Sequence, residues 1–152
     1  MTTAHEVMTE DPATISMAAT VSEAARLLHS LDVRHLPVVD DEGTLVGMLS
    51  DRDLRALAFP EVIGEQYVGE VQTALEAPVS SIMSSNVVAV ELEDDVSVII
   101  ELMLDHKIGA IPVVDSDESL VGIVSYVDLL RLLSPEEPSR KGRAEAIGQT
   151  RT

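Results

Sequence analysis

Residues 34–54 read RHLPVVDDEGTLVGMLSDRDL, and residues 109–129 read GAIPVVDSDESLVGIVSYVDL. The second stretch follows the first at a constant offset of 75 residues, and the gap-free match extends outward to residues 7–57 and 82–132. Fifteen of the 51 aligned positions are identical, and eleven of the others exchange one aliphatic residue for another. Chance would give only a few identities, so the chain contains two copies of one unit.

Each copy predicts the same order of elements: strand, helix, strand, strand, helix. Apolar residues three or four positions apart predict the first helix of each copy, and they are Val21, Ala24, Ala25 and Leu28 in the first and Val96, Ile99, Ile100 and Met103 in the second. The predicted strands are 13–16, 36–39 and 44–49, repeated at 88–91, 111–114 and 119–124. The last helices are predicted from Ser50 to Leu57 and from Ser125 to Leu133.

The ends of the helices carry capping residues. Thr20 and Glu23 form a capping-box pattern before the first helix, and Asp95 is placed to cap its counterpart. The sequence divides into a first unit at 1–59, a helical connector at 60–78, a second unit at 79–133 and a polar tail at 134–152, which we expect to be disordered. Neither unit has enough core to be stable alone, so we expect the two to pack as one body.

Composition excludes several classes of protein. The chain has 27 acidic and 10 basic residues, a formal net charge of −17. Four of the basic residues, Arg140, Lys141, Arg143 and Arg151, lie in the last thirteen positions, so the body is still more acidic. Such a surface repels nucleic acid. No apolar run is long enough to span a bilayer, no signal-peptide pattern is present, and there is no cysteine. We expect a cytoplasmic protein without membrane or nucleic-acid partners.

The two repeated motifs resemble those of the CBS domain. In the first copy they are Val7-Met8-Thr9, Arg34-His35-Leu36-Pro37-Val38-Val39-Asp40 and Gly47-Met48-Leu49-Ser50-Asp51-Arg52-Asp53-Leu54. The second copy offers Ile82-Met83-Ser84, the stretch from Lys107 to Asp115, and Gly122-Ile123-Val124-Ser125-Tyr126-Val127-Asp128. Two such units in tandem resemble a Bateman module, and the resemblance covers about 125 of the 152 residues.

The resemblance implies a fold, a function and partners. It implies an α/β fold of two pseudo-two-fold-related β-α-β-β-α units, packed sheet to sheet. It implies a stand-alone regulatory module that binds AMP, ADP, ATP, S-adenosylmethionine or another adenosyl ligand in clefts between the units. It also implies a homodimer that passes the occupancy of those clefts to a separate effector protein. No cofactor is required and no enzyme activity is expected.

Two Ser-x-x-Asp motifs are the candidate binding residues, Ser50 with Asp53 and Ser125 with Asp128. Ser and Asp at this spacing also form a helix cap that needs no ligand, and the sequence leaves both interpretations open. The N-terminus of a helix suits a phosphate because its N–H groups are free. By resemblance, the aspartate would accept hydrogen bonds from ribose hydroxyls.

Charge differs between the two copies near these motifs. Arg34, His35 and Arg52 surround the first motif, whereas their counterparts Gly109, Ala110 and Val127 are uncharged. We therefore expect unequal clefts, with a phosphate held chiefly by bases of the first copy. Because the copies face each other, a phosphate near the second motif could also contact Arg34 or Arg52, so the sequence leaves open which of the two aspartates matters more. Gly109 and Ala110 have little side-chain bulk, and by resemblance they would let an adenine approach the backbone.

Catalytic and metal sites are not predicted. No strained nucleophile elbow surrounds Ser50, and the four histidines show no paired ligand spacing. The alternative to a ligand sensor is a ligand-free dimerisation or protein-interaction module in which the motifs serve only as caps. The last helix supports dimerisation, because Val127, Leu129, Leu130, Leu132 and Leu133 exceed one buried stripe.

Overall fold

A computed structural model describes residues 1–58 and 68–134. The helices are α1 (Ala4–Val7), α2 (Val21–Leu31), α3 (Asp51–Ala58), α4 (Val68–Glu76), α5 (Val96–His106) and α6 (Tyr126–Leu132). The strands are β1 (Thr9–Glu10), β2 (Ile15–Ser16), β3 (His35–Val39), β4 (Leu45–Ser50), β5 (Val90–Glu91), β6 (Ala110–Val114) and β7 (Leu120–Ser125). A single 3-10 turn, Val79–Ser81, follows α4 in the described chain.

The predicted α/β fold with two sheets is confirmed. One sheet has the strand order β2-β3-β4 and the other has β1-β7-β6-β5. Within each unit the first strand is parallel to the second, and the second is antiparallel to the third. The first strand of each unit is shorter than the predicted four residues. The polar tail from residue 135, residue 59 and residues 60–67 of the predicted connector lie outside the described residues, and α4 occupies much of the remainder of the connector.

The predicted capping residues are in place. Thr20 and Glu23 form a reciprocal capping box at α2, with the Glu23 N–H donating to Thr20 Oγ1 at 3.1 Å and the Thr20 N–H donating to Glu23 Oε2 at 3.0 Å. Asp95 accepts the Ser97 N–H at 2.8 Å and so caps α5. These contacts satisfy backbone groups that the helix itself leaves without partners.

The segment that begins each unit packs on the other unit. Strand β1, near the start of the first unit, pairs antiparallel with β7 of the second unit, with Thr9 opposite Ile123. In the equivalent position, Ser84 and Met48 exchange two backbone hydrogen bonds of 2.9 Å. The sequence did not predict α1 or β1, because both are short and depend on a partner that is distant in the sequence.

Each of the two hydrophobic cores contains residues from the segment that begins the other unit. Ala4 and Met8 belong to the core of the second unit, together with Ile99 and Ile111. Val79 and Met83 belong to the core of the first unit, which is built around Leu36, Val38 and Leu49; all three are fully buried. Each core therefore needs residues from both sides of the connector. The division of the repeat at 1–59 and 79–133 is not the division between the two cores.

Two glycines make room for Met83 and Met8, the methionines that each unit places against the other. A Cβ atom at Gly47 would lie 2.5 Å from Met83 Sδ and 3.0 Å from the Ser84 carbonyl oxygen. At the equivalent Gly122, a Cβ would meet Met8 Sδ and would lie 3.1 Å from the Thr9 carbonyl oxygen. The repeated Leu-Val-Gly motif thus contains glycine because another segment of backbone passes close to the strand.

One predicted core residue is wrong. Ile100 is 42% exposed, although its spacing placed it on the buried face of α5. Ile99 and Met103 are the buried residues of α5, Leu102 packs beside them, and Ile100 lies outside the second core. In the described residues, no helix is long and apolar enough to cross a membrane.

Candidate functional site

A cavity of about 630 Å³ lies between the two units, at the start of β3 and β6. We call it the Arg34 cleft. Its lining from the first unit is Arg34, His35, Met48, Ser50, Asp51, Arg52, Asp53 and Arg55. The remaining lining residues are Ser84, Asn86, Val87, Val88, His106, Lys107, Ile108, Gly109, Ala110 and Tyr126. This volume is within the range of pockets that bind small molecules and cofactors.

The backbone places the charged residues of the first unit beside the Ser-x-x-Asp motif. Register pairs His35 of β3 with Ser50 of β4. The Asp51 N–H donates to the Arg34 carbonyl oxygen at 2.8 Å. The end of β4, the first turn of α3 and the start of β3 therefore meet at one point. The same arrangement recurs in the second unit, where the Tyr126 N–H donates to the Gly109 carbonyl oxygen at 3.0 Å.

Ser50 and Asp53 form a capping box at the start of α3. The Ser50 N–H donates to Asp53 Oδ2 at 2.8 Å, and the Asp53 N–H donates to Ser50 Oγ at 3.2 Å. Asp53 Oδ1 has no hydrogen-bond partner within the described chain. The helix cap and a ligand contact are therefore compatible, because Oδ2 accepts the hydrogen bond of the cap and Oδ1 has no partner among the described residues.

Asp128 is held differently. Its Oδ2 accepts the Ser125 N–H at 2.9 Å and the Ser125 hydroxyl at 3.1 Å. Its Oδ1 forms an ion pair with Arg131 Nη1 at 3.6 Å, and the side chain is only 9% exposed. The residue equivalent to Arg131 in the first unit is Ala56, so Asp53 has no such partner. Neither Ser125 nor Asp128 lines the Arg34 cleft.

Positive charge is concentrated in the Arg34 cleft. The described residues contain six arginines and lysines, and four of them, Arg34, Arg52, Arg55 and Lys107, line this cavity. Arg55 is paired with Asp51 at 2.8 Å. Arg34, Arg52 and Lys107 form no ion pair with any described residue. In a protein of net charge −17, three cations at one cavity that have no ion-pair partner among the described residues give this cavity the charge that an anion requires.

His35 lies across the interface from Gly109. A Cβ atom at Gly109 would be 3.3 Å from His35 Cε1, so a larger side chain there would press on the imidazole. Burial lowers the pKa of His35 below its usual value, Asp53 opposes this effect, Arg34 adds to it, and Asp51 opposes it. The imidazole is therefore neutral at pH 7, and it offers hydrogen bonds rather than the full charge that the sequence suggested.

The stability of the protein should depend on the protonation of His35. Above pH 6.5 the imidazole is neutral in both the folded and the unfolded state. As the pH falls below 6.5, the unfolded state takes up a proton first, so the free energy of unfolding falls until the pH reaches the lowered pKa of the folded state. Urea unfolding measured between pH 8 and pH 5 should show a smaller decline in the free energy of unfolding for His35→Gln than for the wild-type protein. Equal declines would contradict this assignment.

Several lining residues were not predicted from sequence. Ser84, Asn86 and Val88 enter the cavity because their segment pairs with β4, a contact that no local pattern signals. Lys107 could have been found, because it is the only arginine or lysine between Arg55 and Arg131 and immediately precedes Ile108-Gly109-Ala110. Tyr126 follows β7 directly and contacts the space above Gly109, where a Cβ would be 3.5 Å from Tyr126 Cδ1.

The fold and the paired Ser-x-x-Asp sites define a tandem CBS domain protein. The CBS domain model matches residues 4–59 and 79–135, and the chain belongs to this family. The resemblance stated from the sequence is therefore confirmed.

Particular relatives agree with this assignment. A CBS domain-containing protein of Dictyostelium discoideum is 34% identical over 128 residues, which cover 84% of this chain and 88% of the relative. The structure of CBSX2 in complex with AMP is 29% identical with a TM-score of 0.73, covering 88% of this chain and 96% of that one. The CBS domain pair of protein MJ0100, in complex with 5'-methylthioadenosine and S-adenosyl-L-methionine, is 26% identical with a TM-score of 0.71 and the same coverage.

Proposed function

We propose that this CBS pair is a regulatory module that binds a phosphate-bearing adenosyl ligand of the AMP, ADP or ATP class in the Arg34 cleft. The observation that carries the proposal is the convergence of three unpaired cations on one nucleotide-sized cavity in an acidic protein. The module would bind its ligand without converting it chemically. An effector protein would respond to whether the cleft is occupied.

The phosphate end of the ligand would lie beside Arg34 and Arg52. An arginine can donate two parallel hydrogen bonds to a phosphate, and such charge-assisted bonds are about twice as strong as neutral ones. Long-range attraction toward the protein is absent because the surface is acidic, so these local charges decide the affinity. Neutral His35 would add a hydrogen bond at the same end.

The nucleoside end would use the remaining polar and apolar lining. Asp53 Oδ1 is available to accept hydrogen bonds from ribose hydroxyls, while Oδ2 stays with the Ser50 N–H. Gly109 and Ala110, which follow Ile108, have little side-chain bulk, so a flat base could approach the backbone there. The structures of CBSX2 with AMP and of the MJ0100 pair with two adenosyl compounds support an adenosyl ligand.

Thermal unfolding in the presence of candidate ligands tests the proposal. AMP, ADP and ATP should each be added at up to millimolar concentration, with S-adenosylmethionine as the cationic comparison. A ligand at 100 times its Kd stabilises a protein by about 2.7 kcal/mol, which raises the Tm measurably. We expect stabilisation by at least one adenine nucleotide. If no adenosyl compound stabilises the protein, a ligand-free interaction module becomes the better description.

We also propose a homodimer. Exposed apolar side chains are concentrated on α5, on α6 and at the residue that follows α6: Val98, Ile100, Leu104, Val127, Leu130, Leu132 and Leu133. Leu104 is 72% exposed and Leu133 is 85% exposed, while Leu129 packs against the second core. Apolar side chains at this density on neighbouring parts of one unit favour association.

Light scattering at tens of micromolar should therefore give the mass of a dimer. The double variant Leu104→Glu with Leu130→Glu should give a monomer, because each change places a charge in the proposed interface. Leu75→Glu on α4 adds one such charge elsewhere, at a residue that is 36% exposed, and should remain dimeric. A monomeric original protein would contradict the proposal.

A further inference from the structure

Lys107 has a backbone conformation that its residue type does not favour. It ends α5 with φ 54° and ψ 47°, in the left-handed region. Glycine adopts this conformation at the least cost, and asparagine and aspartate adopt it more readily than other residues. The equivalent residue at the end of α2 is Asp32, with φ 51° and ψ 45°. The fold therefore demands this geometry in both units, and a lysine occupies the position in only one of them.

Lys107 lines the Arg34 cleft, and its ammonium group is not part of any ion pair within the described residues. It comes from the second unit, whereas Arg34 and Arg52 come from the first. The three cations thus approach one cavity from both sides of the interface. A lysine ammonium is a compact charge on a flexible stem and can follow a phosphate without a fixed geometry.

The pseudo-two-fold axis places the opposite charge in the other cleft. We define the Ser125 cleft by adding or subtracting 75 from the residues of the Arg34 cleft. The exchanges are Lys107 to Asp32, Asn86 to Asp11, Arg52 to Val127, Arg55 to Leu130 and Arg34 to Gly109. The same operation turns Gly109 into Arg34, so the Ser125 cleft has two more carboxylates than the Arg34 cleft and one arginine in place of three arginines and a lysine. In addition, Asp128 is already paired with Arg131.

We infer that Lys107 binds the phosphate end of the ligand, and that Lys107 and Asp32 together decide which of the two equivalent clefts accepts it. Each chain then binds one phosphate-bearing ligand, in the Arg34 cleft. The Ser125 cleft repels a phosphate, because Asp11 and Asp32 present like charge and its one arginine, Arg34, also lines the Arg34 cleft. This inference rests on the proposed function and adds a residue and a stoichiometry to it.

Glycine substitutions at the two helix ends separate the binding role from the backbone role. Lys107→Gly and Asp32→Gly both relieve the same left-handed conformation, so neither should lower the Tm. Titration calorimetry with AMP and with ATP should show affinity reduced by about tenfold or more in Lys107→Gly. Asp32→Gly should leave the affinity within about twofold. The original protein should bind one ligand per chain.

The outcomes distinguish this inference from the proposed function. If the original protein binds neither AMP nor ATP at millimolar concentration, the proposed function fails. If it binds, but Lys107→Gly binds equally well, the role of Lys107 is wrong while the proposed function stands. Two equal phosphate-ligand sites per chain, or equal losses in Lys107→Gly and Asp32→Gly, would overturn the assignment of the ligand to one cleft.

Discussion

Replacing Arg34 and Arg52 together by alanine should weaken the binding of AMP or ATP by about a hundredfold or more. Both arginines line the same cavity, and neither guanidinium has an ion-pair partner among residues 1–58 and 68–134, so neither is needed there to neutralise a carboxylate. A hydrogen bond to a charged group contributes about 1.5–3 kcal/mol, which corresponds to about tenfold or more for each arginine. Titration calorimetry on the single and double variants measures the loss.

Arg26 provides the matched control for this experiment. It is exposed on α2 and does not line the cleft, so Arg26→Ala removes the same charge from the protein without removing a lining residue. Its affinity should stay close to that of the original protein. Asp53→Ala should also weaken binding through the ribose contact, whereas Asp128→Ala should not. Equal affinity in all the arginine variants would refute the placement of the phosphate.

Leu36→Ala and Ile111→Ala should each destabilise the protein by about 2–5 kcal/mol, the usual cost of removing a large aliphatic side chain from a core. The two residues are equivalent in the repeat and are fully buried, Leu36 in the first core and Ile111 in the second. Because each core contains residues from the segment that begins the other unit, a substitution that destabilises one core should lead both units to unfold together. Urea unfolding should therefore remain a single transition in both variants.

The spectroscopic and calorimetric midpoints should move together in this experiment. A protein whose units fold independently would instead show two transitions, with only the transition of the altered unit displaced. That result would contradict the prediction that the two copies form one body. Leu75→Ala, at a partly exposed residue of α4, serves as a control and should cost far less than either core substitution.

Local order was predictable from the sequence because it depends on neighbouring residues. The repeat predicted the order of strands and helices, the cap at Thr20 and the reciprocal pairing of Ser50 with Asp53. Each of these features involves contacts within about four residues, and propensity and side-chain chemistry are sufficient to predict them. The repeat also showed where the two copies differ in charge.

Contacts between distant segments were decided by the tertiary structure alone. The pairing of Thr9 with Ile123 joins residues more than a hundred positions apart. This pairing depends on how two surfaces fit together. The sequence shows a glycine at position 122, but only the structure shows the segment of backbone that passes close to it and leaves no room for a side chain. The exposure of Ile100 has the same origin, because periodicity identifies an apolar face but not the extent of the core that covers it.

The composition of the Arg34 cleft shows both contributions. Its residues from the first copy, Arg34, His35, Ser50, Arg52 and Asp53, are grouped by a hairpin and the helix that follows it, so the sequence could associate them. Lys107, Ser84 and Asn86 reach the same cavity only because the second unit packs against the first. The charge of a site between two units is the sum over both sides of the interface, and that sum requires the packing to be known.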